Sequence, residues 1–150
     1  MKELDEIIYD ALTASEGIVA KVGTRIKSTC FEVPPTEDDN TPLPYLIITD
    51  DPFTNETGTK DDVWESNTDR VQASVEIAAD SPAEVKELRR MVRQAIAAHV
   101  ATLQNVPYLV SVSNDGIAWD WMKPCYYDRL HYQCEVNIYD YEQEENPSES

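Results

Sequence analysis

The chain has 150 residues, a hydrophobic fraction of 41% and a formal net charge of −17, which suits a single domain with its own apolar core. The chain has 29 acidic and 12 basic residues. This excess of acids argues against phosphate binding, because affinity for nucleic acids comes largely from Lys and Arg. No apolar run approaches the roughly 20 residues that cross a bilayer. Acids interrupt residues 1–12, where a signal peptide needs an apolar stretch. We therefore expect a protein that is made and used in a cytoplasm.

The first third of the chain predicts a helix, a loop and a buried strand. Apolar side chains recur at helical spacing over residues 4–12, and one further helical turn ends at Gly23. Residues 32–44 are rich in Pro and acids and predict a loop. Residues 45–49 form an almost continuous apolar run, which is typical of a buried strand. Residues 53–67 are polar and acidic and predict a long loop or a loosely formed hairpin arm.

The most strongly patterned stretch is residues 68–103. Apolar side chains alternate with mostly polar ones over residues 71–79, which indicates a strand with one apolar face. Ser81, Pro82 and Glu84 then fit the first turn of a helix, as N-cap, first helical residue and capping-box acid. The apolar stripe of this helix runs as far as residue 103. The pattern predicts a helix that lies on one face of a sheet.

Three extended segments follow. In residues 106–113, Tyr108, Val110 and Val112 are predicted on one face, and an Asn-Asp-Gly turn leads to a strand or extended arm at residues 117–122. Alternation is clearest over residues 129–138.

Together these elements define an α+β fold, with a small, mainly antiparallel sheet of about four strands, two helices on one face and long polar loops. We assign residues 1–140 to this single domain. Residues 141–150 form an acidic tail that is flexible or docks only on assembly.

No constellation in the sequence predicts catalysis or metal binding. The glycines are too far apart for a P-loop or a GxGxxG turn. His131 and Cys134 are three residues apart on one predicted strand, so they face opposite sides and do not share a zinc ion. His99 belongs to the apolar stripe of the predicted helix. The paired acids, such as those at residues 50–51, lack the pattern of a calcium loop, and we interpret them as solvated charge, with interface cations as the alternative. We predict no enzyme, no cofactor and no metal.

Two groups of residues are candidates for contacts with other proteins. Aromatic side chains concentrate in the last third of the chain and include Trp119, Trp121, Tyr126 and Tyr127. Such residues are enriched at protein interfaces; core packing is the alternative, whereas base stacking requires a basic groove. The second group is a basic stripe on the outward side of the predicted helix, formed by Arg89, Arg90 and Arg93 with Lys86. This stripe either meets an acidic loop of a neighbouring copy or is a solvated helix face.

Five segments in order resemble the small tail-completion, or tail-terminator, proteins of tailed bacteriophages. They are residues 4–12, EGIVAKVGTRI (16–26), PLPYLIITDD (42–51), VQASVEIAADSPAEVKEL (71–88) and RLHYQCEVNIYD (129–140). In that family an N-terminal helix is followed by a hydrophobic–Val–Gly–x–Arg–Ile segment, a Pro-flanked strand, a strand–helix unit and a final alternating strand. The chain departs from the family in its acidic loop at residues 53–67 and in its acidic tail.

The resemblance implies a non-enzymatic ring, typically a hexamer, at the head-proximal end of a phage tail. Such a ring caps the tail tube and joins it to the neck connector, or head-closure protein, while DNA passes transiently through its lumen. It implies a location in the virion, after assembly in the host cytoplasm, with no membrane partner and no catalytic residue. A different hypothesis is a small acidic binding or regulatory domain that uses the aromatic surface at residues 119–127. A third is a metal-dependent hydrolase that uses Asp50 and Asp51.

Overall fold

The computed structural model describes residues 1–28, 42–55 and 65–144. Its elements are, in chain order, α1 (Leu4–Ala14), α2 (Glu16–Val22), β1 (Ile26–Ser28), β2 (Tyr45–Thr54), β3 (Thr68–Ala79), α3 (Pro82–Val100), β4 (Tyr108–Asn114), β5 (Ala118–Asp120), β6 (Cys125–Asn137) and α4 (Tyr139–Glu144). The predicted α+β class is confirmed. The described part of the chain holds six strands and four helices, which is only roughly consistent with the predicted count of about four and two. The segments of α2 and β5 were predicted as a helical turn and as a strand or extended arm and were left out of that count, whereas β1 and α4 are too short to show a clear period.

The strands form one mixed sheet in the order β1-β2-β3-β6-β4, and β5 also pairs with β6. The β1–β2 pair is parallel and the other pairs are antiparallel. The long strands β3 and β6 pair along their whole lengths, from Thr68 opposite Asn137 to Ala79 opposite Tyr126. On its other edge β6 pairs first with β5 and then with β4. These two strands therefore lie end to end along the same border of the sheet.

Helix α3 begins as its sequence predicts. The Ser81 hydroxyl accepts a hydrogen bond from the Glu84 amide at 3.2 Å, and Pro82 occupies the first turn. One side of the helix presents its apolar stripe to the sheet, with Val85, Leu88, Val92 and Ile96 all buried. Burying each such side chain contributes roughly 1.5–3 kcal/mol relative to its exposure. The helix ends at Val100, before residue 103, where the stripe was predicted to end.

The two faces of the sheet differ in polarity. The face toward α1, α2 and α3 carries the core, in which alternate residues of β3 and β6 such as Val75, Ile77 and Leu130 are buried. The opposite face, which we call the open face, carries polar side chains, and Glu76 forms an ion pair with Arg129 across the two strands at 3.4 Å. The predicted alternation of β3 and β6 is confirmed. It determines the faces on which Tyr126, Tyr127 and Asp128 lie.

The segments predicted as loops and tail lie partly outside the described residues, which omit 29–41, 56–64 and 145–150. At the base of the 53–67 segment, the Asn55 amide group donates to the Ser66 carbonyl at 2.9 Å and to the Asp69 carboxylate at 2.7 Å. These bonds join the end of β2 to the start of β3. Residues 141–144, the start of the tail that was predicted to be flexible or to dock only on assembly, belong to helix α4, where Tyr141 is half-buried.

Ser74 offers a test of the sheet on its open face. The residue is 1% exposed, and its hydroxyl has no hydrogen-bond partner in the described structure. An unsatisfied buried hydroxyl costs roughly 1–3 kcal/mol, so Ser74→Ala is expected to raise the free energy of unfolding by about 1 kcal/mol. Urea denaturation with an unchanged m-value would measure this change. An equal or lower free energy for the variant would show that the hydroxyl has a partner in solution.

Candidate functional site

Exposed apolar side chains gather along the border of the sheet formed by β4 and β5. We call this series the apolar edge; it comprises Tyr108, Leu109, Val110, Trp119, Trp121 and Met122. Trp121 is 85% exposed and Met122 is 93% exposed, in the turn between β5 and β6. Single exposed apolar residues are ordinary, but several large ones along one border of a small sheet favour an interaction surface or a binding groove. The apolar edge is therefore the first candidate for a functional surface.

The β4 part of this edge departs from its predicted alternation. The register with β6 shifts between Leu109 and Ser111, which leaves Val110 in an irregular position. As a result Tyr108 lies on the open face, whereas Leu109 and Val112 lie on the helix face, opposite Cys134 and Tyr132. The prediction that Tyr108, Val110 and Val112 share one face was wrong. A bulge adds one residue to a strand and inverts the faces beyond it.

The structure brings together three of the four predicted aromatic residues. The Trp119 ring lies 4.8 Å from Tyr126 and 6.1 Å from Trp121, measured between ring centroids, and both contacts are edge-on. Such contacts stabilise aromatic pairs by about 0.5–1.5 kcal/mol beyond their area burial. Tyr126 anchors this group to the core, since it packs on the helix face of β6. The group therefore holds Trp121 in an exposed position on an ordered base.

Tyr127 belongs to a different cluster, because adjacent residues of a strand point to opposite faces. It packs on the open face against Tyr45, Ala78 and Cys125, and the ammonium group of Lys123 lies 4.4 Å from the Tyr45 ring centroid. Burial raises the pKa of the Cys125 thiol, which opposes formation of a reactive thiolate at neutral pH. The structure therefore assigns Tyr127 to packing rather than to the surface of the predicted aromatic group.

The basic stripe contains one arginine with a structural role. Arg89 donates a 2.7 Å hydrogen bond to Asp128, a β6 carboxylate that is fully buried. The prediction that all three arginines are available for an interface therefore needs correction, because the Arg89 charge is used within the subunit. Lys86, Arg90 and Arg93 are exposed and, with Arg89, line a shallow groove along α3 that we call the basic groove.

Asp128 connects three elements through four hydrogen bonds. Besides Arg89 it accepts bonds from the Asn114 side chain at 2.9 Å and from the backbone amides of Gly116 at 2.9 Å and Arg129 at 2.8 Å. Burial alone would raise the pKa of Asp128, but these donors outweigh it and hold the pKa below the usual value of an Asp. Sequence reasoning missed this residue. Its signal is an acid at a position where the alternation of β6 requires an apolar side chain.

An apolar cleft of about 220 Å³ lies between α1, the second half of α3 and the start of β4. Its walls include Ile7, Ile96, Val100, Leu109 and Tyr132. Arg93 is the charged residue of the lining, and it also borders the basic groove. The cleft thus opens between the basic groove and the β4 part of the apolar edge.

Three acidic residues, Glu3, Asp5 and Asp50, form an acidic region. Burial raises the pKa of Glu3, Asp5 and Asp50, and repulsion from neighbouring carboxylates adds to this for Glu3 and Asp50. These residues come from the start of α1 and the middle of β2. Because like charges raise the free energy of this region, it is a natural counterpart for the basic groove of another molecule.

The described residues carry little that suggests catalysis. His131 bonds through Nε2 to the Asp115 carboxylate at 2.8 Å on the surface. Within residues 1–28, 42–55 and 65–144, no group of three or more His, Cys, Asp or Glu residues is placed to hold a metal ion. None of the helices in the same ranges has the length and apolar composition that a membrane span requires.

Comparison with known proteins adds no relative: no protein-family model matches the chain, and a search of curated proteins finds no match.

Proposed function

We propose that the chain is a structural subunit of a tailed-phage virion, a tail-terminator or tail-completion protein without enzymatic activity. Copies assemble into a hexameric ring that caps the tail tube and joins it to the head-closure protein of the neck. DNA passes transiently through the lumen. The subunit is made in the host cytoplasm and ends in the virion. The proposal draws on the resemblance of five segments to that family and on the surfaces of the subunit.

The observation that carries the proposal is the apolar edge. It places several large apolar side chains along one border of a small domain, where they are in contact with water in the isolated subunit. Hydrophobic burial contributes about 25 cal/mol per Å² of apolar surface removed from water. An edge of this kind favours permanent association with another protein, as a structural ring requires.

Charge supports the same proposal in two ways. The basic groove on α3 and the acidic region around Glu3 carry charges of opposite sign on one subunit. Contacts between two different surfaces of identical subunits are heterologous, and they form a ring when the rotation between subunits closes. In addition, a net charge of −17 repels the DNA backbone, so that DNA would pass the lumen without adhering.

The oligomeric state tests this proposal. Native mass spectrometry and sedimentation velocity of the purified full chain are expected to find one closed oligomer of defined subunit number, with six as the expected value. Virions purified from infected cells are expected to contain the chain. A protein that stays monomeric at the highest attainable concentration, and that is absent from virions, would contradict the proposal.

A second candidate function is a small protein-binding or regulatory domain. The exposure of Trp121 and Met122 favours it, since exposed aromatic and Met side chains serve as anchors in binding surfaces. Under this alternative the chain stays monomeric and forms a stoichiometric complex with one partner. Mass measurement therefore separates the two candidates, and loss of that complex in Trp121→Ala would support the second.

A further inference from the structure

Two complementary features lie at opposite ends of the β6 border. At one end, the turn after β5 presents Trp121 and Met122 to solvent; we call these two residues the knob. At the other end, the apolar cleft opens beside Leu109. The knob follows Asp120, which pairs with Cys125, whereas Leu109 pairs with Cys134. Nine residues of strand separate these pairs, which corresponds to roughly 30 Å.

This separation determines which molecule fills the cleft. Both features are fixed to the same strand, β6, and the Asp128 network and the Trp119–Tyr126 contact hold the adjoining segments against it. The knob therefore does not reach the cleft of its own subunit. A knob that occupies the cleft must belong to a second copy, and the contact is then heterologous.

The chemistry of the two features matches. An engineered apolar cavity of about 150 Å³ binds benzene, so a cleft of about 220 Å³ has room for the larger indole ring. The lining is mainly apolar, and its charged residue is Arg93. Asp120 directly precedes the knob, and its carboxylate already accepts the Met122 amide at 2.9 Å, which holds it beside the knob. Insertion would bring this carboxylate toward the Arg93 guanidinium at the rim of the cleft.

We propose that subunits join head to tail by inserting the knob of one copy, Trp121 with Met122, into the apolar cleft between α1, α3 and β4 of the next copy. This inference rests on the proposed ring and names the contact that builds it. Under this proposal both ends of the apolar edge, the knob and the residues beside the cleft, take part in the same type of contact between subunits. It also explains why the exposed Trp121 packs against Trp119, which in turn packs against Tyr126, because a rigid anchor loses less conformational entropy on binding.

Two kinds of variant test the contact. Trp121→Ser with Met122→Ser removes the knob and leaves the cleft intact. Leu109→Asp places a charge in the wall of the cleft and leaves the knob intact. Ala97→Glu, at an exposed helical position of the lining, places a charge in the opposite wall. Each is expected to lower the association constant about 100-fold, or about 2.8 kcal/mol of binding free energy, because the knob loses its apolar anchors or the cleft gains a buried charge. Phe53→Ser, at an exposed aromatic outside both features, is the matched control and should assemble normally.

Mixing the variants distinguishes a head-to-tail contact from a symmetric one. The knob variant and a cleft variant, each monomeric alone, are expected to form a one-to-one heterodimer that grows no further, because only one intact knob and one intact cleft remain. Sedimentation and native mass measure this, and the Trp121 emission should shift to shorter wavelength in the complex. Circular dichroism confirms that each variant is folded.

Different failures point to different conclusions. If the unaltered chain assembles and the knob and cleft variants assemble equally well, the contact is wrong and the ring survives. If a cleft variant still forms dimers through its knob, the interface is symmetric and the inference is wrong. If the unaltered chain never assembles, the ring itself fails, and the inference fails with it.

Discussion

Replacing Asp128 with Ala is expected to lower the free energy of unfolding by about 3–5 kcal/mol, the usual cost of breaking a buried ion pair. The substitution removes the acceptor of Arg89, of Asn114 and of two backbone amides at once. Urea denaturation would measure the loss. Asp80→Asn, at an exposed acid beside the same sheet, is the control and should change the free energy by less than about 0.5 kcal/mol. A loss below about 1 kcal/mol for Asp128→Ala would mean that water replaces the carboxylate.

The same carboxylate makes a defined contribution to pH dependence. Its pKa is lower in the folded than in the unfolded chain, so its stabilising effect is fully present above the ordinary Asp pKa of about 3.9. That effect is lost as the pH falls through the lowered folded-state value. Asp128→Asn should therefore lose stability at neutral pH and come closer to the unaltered protein in acid. Denaturation curves at several pH values would show parallel losses if Asp128 did not titrate in this way.

Reversing the charges of Arg90 and Arg93 together is expected to weaken assembly by about 100-fold, because like charges placed across an interface cost several kcal/mol. Both side chains are exposed, so the free energy of unfolding should change by no more than about 0.5 kcal/mol. Sedimentation equilibrium measures the first quantity and urea denaturation the second. Raising the salt concentration should weaken the unaltered assembly in the same direction, since salt screens exposed charges.

The control for the charge reversal at Arg90 and Arg93 changes the net charge at ion pairs elsewhere on the subunit. Lys21→Glu with Arg70→Glu makes the same change in net charge at solvent-accessible pairs with Glu87 and Glu135, and it should leave assembly intact. Arg89→Glu is unsuitable as an interface probe, because it places a carboxylate against the buried Asp128 and unfolds the subunit. Assembly that survives the Arg90 and Arg93 reversal would remove the basic groove from the interface.

Periodic segments were predictable and short or bulged ones were not. The alternation of β3 and β6 and the capped, striped helix α3 are local patterns, and each residue's face follows from its spacing. By contrast, β5 has three residues, too few to establish a period. In β4 a single irregular residue inverted the faces, since a shift of one residue moves side chains to the opposite side of a sheet.

The candidate residues show the same division. The sequence located the basic stripe and the aromatic group, because both are compositional. It did not distinguish Arg89 from Arg90, although the two are neighbours on one helix. That difference depends on Asp128, which lies 39 residues from Arg89 in the chain. Likewise, Tyr126 and Tyr127 are adjacent in the sequence. Only the structure shows that they lie on opposite faces of β6 and that Tyr127 packs against the cluster around Tyr45.

For this protein the sequence alone determined the α+β class, the apolar faces of its long strands and of α3, and the strongly acidic balance, because these properties are local or additive along the chain. Only the tertiary structure decided that Arg89 is used internally, that Trp121 and Met122 protrude, and that an apolar cleft lies about 30 Å away along the same border. Those properties arise from contacts between residues that are distant in sequence. No local pattern encodes the distance between a knob and a cleft.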